Sequence, residues 1–350
     1  MVQNRKRLVF FERFFDPIAE KILGEADDIE LTKLHYTSPP AENWEVLART
    51  HGYQLSARTE LDPQYEGLDS LIARCPDLLA MCSTGAGYDV IDVDACNRAG
   101  IIVCNQSGTN FEPVAEHAIG MVLNLSKKIG LTNRALLRGD ANNRYAMMGN
   151  NVEHKTLGIV GLGKIGTRHA HFARAFDMNV IAYDPYLTAE QIAARGARKV
   201  EFDELLARAD YVTVHCPRSK ETIGMFNAAA FAKMKPSAYF INTARGLIHS
   251  EIDLLAALKS GQIAGAGIDV FDVEPPPADH PLLHMENVIA TPHTAGGTFE
   301  TATHMSAETA RQWITLLRGQ VPPRLVNPEA WPKYSDRFEK ILGVRPDPLP

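Results

Sequence analysis

Short apolar runs ending in small or polar residues recur through the second half of the chain, at positions 156–160, 179–183, 211–214, 238–242, 264–270 and 288–290. Segments of helical period separate most of them, among them 164–176, 202–209 and 250–259. Strands alternating with helices, with little hairpin chemistry between them, predict an α/β fold built on a doubly wound parallel sheet. Six such strands fit the full dinucleotide-binding order. The first hundred residues repeat the rhythm on a smaller scale, with strand candidates at 8–11, 31–36, 53–57, 78–82 and 101–104. They predict a second, smaller α/β domain.

Two longer amphipathic stretches read as helices that connect the domains. One covers 114–128, after Pro113; the other covers 300–317, between Gly296-Gly297 and a stop at Gly319. If both cross, the smaller domain is assembled from the two ends of the chain. The expected division is 1–107 and 299–350 for the smaller domain and 108–298 for the larger. The tail beyond Val321 carries Pro322, Pro323, Pro328, Pro332, Pro346, Pro348 and Pro350, and is expected to wrap over a surface rather than fold alone.

Composition narrows the function. The 350 residues are 45% hydrophobic and 22% charged, an ordinary globular balance with ample material for a core. A net charge of −6 gives no general attraction to nucleic acid or to an anionic membrane. Any anionic substrate must be drawn by local cations. The five cysteines have neither CxxC pairing nor metal-type spacing, and read best as reduced, buried thiols in a cytoplasmic protein. The apolar stretch after Arg5 is broken by Glu12 and Arg13, too soon for a signal peptide. No run approaches the ~18 apolar residues of a membrane span.

Gly161-Leu-Gly163-Lys164-Ile165-Gly166 stands between a strand candidate and a helix candidate. Such glycines permit a tight turn and let backbone N–H groups approach a pyrophosphate at a helix N-terminus. Asp184 ends the next run, 18 residues past Gly166, close to where an acid holds the adenosine ribose hydroxyls and repels a 2′-phosphate. NAD is therefore expected in preference to NADP. Arg245, Glu274 and His293 each follow a later apolar run. Alone, each is more often a surface ion pair or a turn residue. Together, at successive strand ends beside a dinucleotide turn, they form a set suited to moving a hydride and a proton. An arginine fork suits carboxylate and carbonyl oxygens. An imidazole can deliver a proton near neutral pH, and an adjacent carboxylate favours its charged form.

The blocks Gly161–Gly166, Asn242-Thr-Ala-Arg-Gly246, Asp269-Val-Phe-Asp-Val-Glu-Pro275 and Thr291-Pro-His-Thr-Ala-Gly296 occur in the order seen in the D-isomer-specific 2-hydroxyacid dehydrogenases, which the chain resembles from about position 78 to 319. The resemblance implies two Rossmann-like domains, the larger binding NAD and the smaller, flavodoxin-like one holding substrate. It implies Arg245 as substrate-binding cation and the Glu274–His293 pair as proton donor and acceptor. Further cofactor contacts implied are Thr109, His215, Pro217, Thr243, Asp269 and Gly296, with Asp269 on the nicotinamide carboxamide. The loop from Ser83 to Asp89 would bring Thr84, Gly85, Ala86 and Gly87 onto the substrate carboxylate. Pro113 departs from the small hydroxyl residue that often stands at that place in the family, which weakens the carry-over at Thr109. The resemblance also implies a homodimer, and the 114–128 helix, rich in apolar residues, is its expected contact.

The favoured substrate is a small 2-keto acid or its D-2-hydroxy acid, of glyoxylate or hydroxypyruvate type, with 3-phosphoglycerate as runner-up. A phosphorylated substrate would need extra cations, for which Arg58 and Arg74 are available outside any motif. Formate dehydrogenases resemble this scaffold but carry glutamine where Glu274 stands; phosphite dehydrogenases share the Arg/Glu/His set. Corepressors related to the family bind NAD as interaction modules. No metal is expected, and His169, His171, His280 and His284 are expected on the surface or packed in loops.

Overall fold

The computed structural model describes residues 5–58 and 60–350. The chain forms two compact units, one from Met1–Asn110 with Thr298–Pro350, the other from Phe111–Gly297.

Among its described residues the first unit holds five parallel strands, β1 (Lys6–Phe11), β2 (Ile29–Leu34), β3 (Gly52–Leu55), β4 (Ala80–Ser83) and β5 (Ile102–Cys104), in the order β2-β1-β3-β4-β5. This is the flavodoxin-like order. A parallel sheet is covered on both faces, so its strands read as unbroken apolar runs whose alternate residues serve opposite cores. On β1, Leu8 and Phe10 join Trp313, Leu316, Tyr334 and Phe338 on one side. Val9 and Phe11 join Tyr53, Tyr65 and Leu71 on the other. Trp313 is the keystone of the first side. Its Nε1 donates to Gln54 Oε1 at 2.7 Å, and its ring lies so close to Gly52 that a Cβ there would stand 2.5 Å from it.

The second unit holds seven parallel strands: β6 (Thr156–Val160), β7 (Asn179–Tyr183), β8 (Arg198–Lys199), β9 (Tyr211–Val214), β10 (Tyr239–Asn242), β11 (Gly265–Ile268) and β12 (Val288–Ala290). Their order is β12-β11-β10-β9-β6-β7-β8. The chain thus builds outward from β6 in one direction and then, from β9, in the other. The loop after β6 lies where that order reverses, the position at which doubly wound sheets bind ligands. The six strands expected here are present. β8, two residues on the edge, is too short to leave a periodic signal.

Two expectations need correcting. The connector helix begins at Phe111, not after Pro113, and runs to Lys127. Proline is tolerated as its third residue because the first-turn N–H groups have no partner within the helix. Its Val114, Ala115, Ala118, Met121, Val122 and Leu125 are buried, so its apolar face is spent within its own unit. The exposed apolar side chains lie instead on the next helix, Ile129–Leu137, and the loop beyond it. The proline-rich tail also contains a helix, Trp331–Leu342, with Pro332 in its first turn. Trp331, Tyr334 and Phe338 are spaced for one helical face, and all three are buried in the first unit's core. That spacing was readable in the sequence beneath the proline count.

The first unit's two chain segments are also tied by charge. Asp28, just before β2, takes Lys6 at 3.1 Å and Arg318 at 3.0 Å. The Arg318 guanidinium, helped by Lys6 and opposed by partial burial, pulls the Asp28 carboxyl from its ordinary 3.8 to about 2. A depressed carboxylate stabilises the fold above its unfolded value and loses that contribution as pH falls through the folded one. Asp28→Asn should cost about 1 kcal/mol at neutral pH, the exposure of the pair limiting the effect. The gap from wild type should narrow below about pH 4 in denaturant titrations. A gap of constant size would show that the pair contributes nothing through its charge.

Candidate active site

Three loops at the C-terminal edge of the second sheet carry the polar set. Arg245 follows β10, Glu274 follows β11 and His293 follows β12. These three strands are neighbours, so parallel pairing brings their ends to one edge. The Arg245 and Glu274 loops touch so closely that a Cβ on Gly246 would meet the Phe271 carbonyl at 2.1 Å. Leu247 N–H donates to Asp272 Oδ1 at 2.7 Å, tying the two loops, and Phe271 N–H donates to Glu274 Oε1 at 3.0 Å within the second.

His293 Nδ1 meets Glu274 Oε2 at 2.8 Å. Since an ionised carboxylate only accepts, Nδ1 carries the proton, and Nε2 takes no part in that bond. The imidazole is 39% exposed and the carboxylate 20%. Burial alone would raise the Glu274 carboxyl. The hydrogen bond and charge of His293, the Phe271 amide and the Arg245 charge together outweigh it and hold the group below the usual carboxylate range. His293 has φ +54, in the left-handed region that costs a side chain on the order of 1 kcal/mol. Asp269 sustains that conformation. Its carbonyl accepts the His293 N–H at 2.8 Å. Its fully buried carboxylate accepts Thr291 Oγ1 at 2.6 Å, Thr294 N–H at 2.8 Å and Ala295 N–H at 3.0 Å. Motif reading treated Asp269 as a cofactor contact and missed this loop-holding role.

The glycine loop divides its labour by position. Gly161 has φ +89, and a Cβ there would lie 2.6 Å from Cys216 N. A Cβ on Gly166 would lie 2.3 Å from the Gly161 carbonyl. At Gly163 a Cβ would meet nothing within 4 Å. That open glycine precedes the Lys164–Ala175 helix, whose N-terminus no side chain caps. Lys164, Ile165 and Gly166 thus present first-turn N–H groups with the helix dipole behind them. Asp184, at the end of β7, accepts Leu162 N–H at 2.9 Å and Tyr186 N–H at 3.0 Å, leaving lone pairs on both oxygens for a ribose. Arg195 donates to the Leu162 carbonyl, so its fork is engaged with the same loop.

Other expected contacts are placed unevenly. Thr243 is buried, and its hydroxyl has no partner among the described residues, as a ligand-facing donor would be left. Pro217 is exposed and Gly296 half-buried at their loop ends. Thr109 belongs to the first unit, and its hydroxyl donates to the Gln106 carbonyl at 2.7 Å. His215 turns Nε2 onto His169 Nδ1 at 2.9 Å. His169 is therefore not on the surface or in a loop; it is a fully buried helix residue, and desolvation holds it neutral.

In the first unit, the loop after β4 is tied down by its oxygens. Thr84 Oγ1 donates to the Leu55 carbonyl at 2.6 Å, the Gly85 carbonyl accepts Gln106 N–H at 2.8 Å, and the Ala86 carbonyl accepts Asn105 Nδ2 at 2.8 Å. The Gly87 carbonyl accepts the Ser83 hydroxyl. The N–H groups of Gly85, Ala86 and Gly87 donate to no described residue. Carbonyls turned inward leave those amides free for an anion.

Residues 119–295 match the family model described as D-isomer specific 2-hydroxyacid dehydrogenase, NAD binding domain. The chain belongs to that family. It is 35% identical over 312 residues to D-3-phosphoglycerate dehydrogenase of Archaeoglobus fulgidus, covering 84% of this chain and 59% of that protein. It is 36% identical over 275 residues to glyoxylate reductase of Thermofilum pendens, covering 77% of this chain and 78% of that one. The crystal structure of a glyoxylate reductase from Paecilomyes thermophila superposes with a TM-score of 0.82 at 26% identity, covering 93% of this chain and 99% of that one. The chain thus spans less than two thirds of the phosphoglycerate dehydrogenase it matches.

NAD is the cofactor of the matched domain, and these residues fit it. The open Gly163, the uncapped helix and the orphaned Thr243 hydroxyl are each what a bound dinucleotide would use. Two substitutions separate fold from binding. Gly166→Ala should destabilise by at least ~2 kcal/mol, because backbone must move. Gly163→Ala should keep the wild-type Tm yet weaken NADH binding at least about tenfold by fluorescence titration, since the methyl group projects where the phosphates approach. Wild-type NADH affinity in Gly163→Ala would refute the cradle.

Proposed function

We propose that the protein is an NAD-dependent oxidoreductase that interconverts a small 2-keto acid and its D-2-hydroxy acid. The observation that carries this reading is the 2.8 Å bond between His293 Nδ1 and Glu274 Oε2, on loops that adjoin the Arg245 turn. In this reading the Arg245 fork binds the substrate carboxylate and polarises its carbonyl, and the free amides of Gly85, Ala86 and Gly87 receive carboxylate oxygen. His293 delivers a proton from Nε2 to the carbonyl oxygen in reduction and removes it in oxidation. Glu274 holds the ring in place through its Nδ1. Bound NADH supplies the hydride. The first unit is the substrate domain and the second the NAD domain.

An unphosphorylated substrate of glyoxylate or hydroxypyruvate type is the better supported choice. Arg58 donates to the Asp89 carbonyl at 2.9 Å and pairs with its carboxylate at 3.3 Å, which offsets its charge. Arg74 lies 3.5 Å over the Trp44 ring. Both arginines singled out for a phosphate thus have partners within the protein.

The working form is a homodimer. Ile129, Leu136 and Leu137 on one short helix, with Tyr145 and Met148 beyond it, leave apolar surface exposed, up to 82% at Tyr145. A patch of that kind is characteristic of an interface, and a second copy is the partner this reading assigns. Five free thiols, four of them buried, suit a reducing compartment, and the cytoplasm is where we place the protein. No described helix is long and apolar enough to cross a membrane.

NADH oxidation measured against glyoxylate, hydroxypyruvate, pyruvate and phosphohydroxypyruvate tests the reading; turnover on none of them would overturn it. His293→Ala should lose ~10²–10⁴ in kcat with NADH affinity retained. Glu274 is held below its ordinary range, so it stays ionised throughout neutral pH. Glu274→Gln removes that charge, and a limb of the reductive pH–rate profile should move. An unmoved limb would take Glu274 out of proton transfer. In sedimentation equilibrium the wild type should be a dimer and a Leu136→Asp, Leu137→Asp variant a monomer; a monomeric wild type would discard the homodimer.

A further inference from the structure

The turn that presents Arg245 hangs from one buried amide. Asn242 is the last residue of β10 and has no exposed surface. Its Oδ1 accepts the Ala244 N–H at 2.9 Å, and its Nδ2 donates to the Arg245 carbonyl at 2.9 Å. These two partners fix the orientation of the amide, because an N–H can only meet the oxygen and a carbonyl can only meet the NH₂. The same Nδ2 lies 3.0 Å from His249 Nδ1. His249 Nδ1 must therefore accept, and the ring proton sits on Nε2. That nitrogen is buried without a partner among the described residues.

His249 is itself fully buried, with the Phe240 ring 5.5 Å from its own. Burial, opposed by a smaller pull from Glu251, pushes its pKa down to about 4, so the ring is neutral and able to accept throughout the working range. An apolar side chain would fill this space without stranding a ring nitrogen. The stranded nitrogen is tolerated where the other one does something an apolar residue cannot. What it does is complete the bonds of Asn242. Between the two lies Leu247, at φ +64, which could relax if either end of the turn were released. Asp272 restrains the Leu247 end through its N–H, and Asn242 restrains the Arg245 end.

We propose that His249 is a positioning residue for Arg245, acting as a neutral acceptor that locks Asn242 and through it the backbone from which the guanidinium reaches the 2-keto acid. The inference rests on the reading of Arg245 as the substrate-binding cation. Long-range ¹H–¹⁵N spectra of the cofactor-free protein test the tautomer directly. Nε2–H is expected; an Nδ1–H ring at position 249 would overturn the proposal, since Asn242 could then not donate to it. Kinetics test the consequence. His249→Leu keeps the volume and removes the acceptor, whereas His249→Asn restores an acceptor oxygen near the Nδ1 position. The leucine variant should raise KM for the keto acid about tenfold while NADH affinity by fluorescence changes less than about twofold, and asparagine should recover most of the loss. A leucine variant with wild-type KM, or one that loses NADH and keto acid binding together without recovery by asparagine, would refute it. Should the leucine variant not fold, the tautomer and the asparagine variant decide. A wild type inert toward every 2-keto acid would sink the reading of Arg245, and this inference with it; in that case the tautomer spectrum separates that failure from an error in the local geometry.

Discussion

The carboxylate of Asp269 has no water to turn to. A buried charge must be met by donors or it destabilises the fold, and here three donors come from the segment that carries His293. Its own carbonyl takes the His293 N–H as well. One desolvated group at the end of β11 thereby dictates the path of the chain beyond β12. The imidazole is aimed by this knot before Glu274 touches it.

The same logic runs through the neighbouring loops. Leu247 and His293 both adopt left-handed backbone that glycine would take more readily. Neither is left to local preference. Asp272 holds the first through its N–H, and Asp269 holds the second. Strain at these positions is stored in loops whose ends are bonded to packed strands, so the side chains they carry are presented rigidly. The glycine loop follows the opposite course. Gly161 and Gly166 are glycines because protein backbone occupies the space of a Cβ, while Gly163 is one where that space is open.

Much of this was legible along the chain. Every expected strand in both halves exists; most are buried on two faces and so write themselves as continuous apolar runs, although the edge strand Ile29–Leu34 is half-exposed and mixed in character. Helix starts were read less well. The Phe111–Lys127 helix admits Pro113 in its first turn, and the Trp331–Leu342 helix was hidden behind the prolines around it. Histidines were the weakest point. Spacing suggested that His169 and His171 face different directions, which they do, but spacing could not say that His169 points into the core to meet His215. Nor could it show that His249, outside the catalytic set, completes the bonds of Asn242.

By itself the sequence determined the alternation of strand and helix, the glycine turn and the residue types at successive strand ends. These are local properties, carried by periodicity and by the few residues able to bend a chain sharply. Only the tertiary structure decided which polar groups are partners. Hydrogen-bond partners such as His169 and His215, or Asn242 and His249, are set by packing, loop paths and burial. Those depend on how the strands order themselves in the sheet, and no spacing along the chain encodes that order directly.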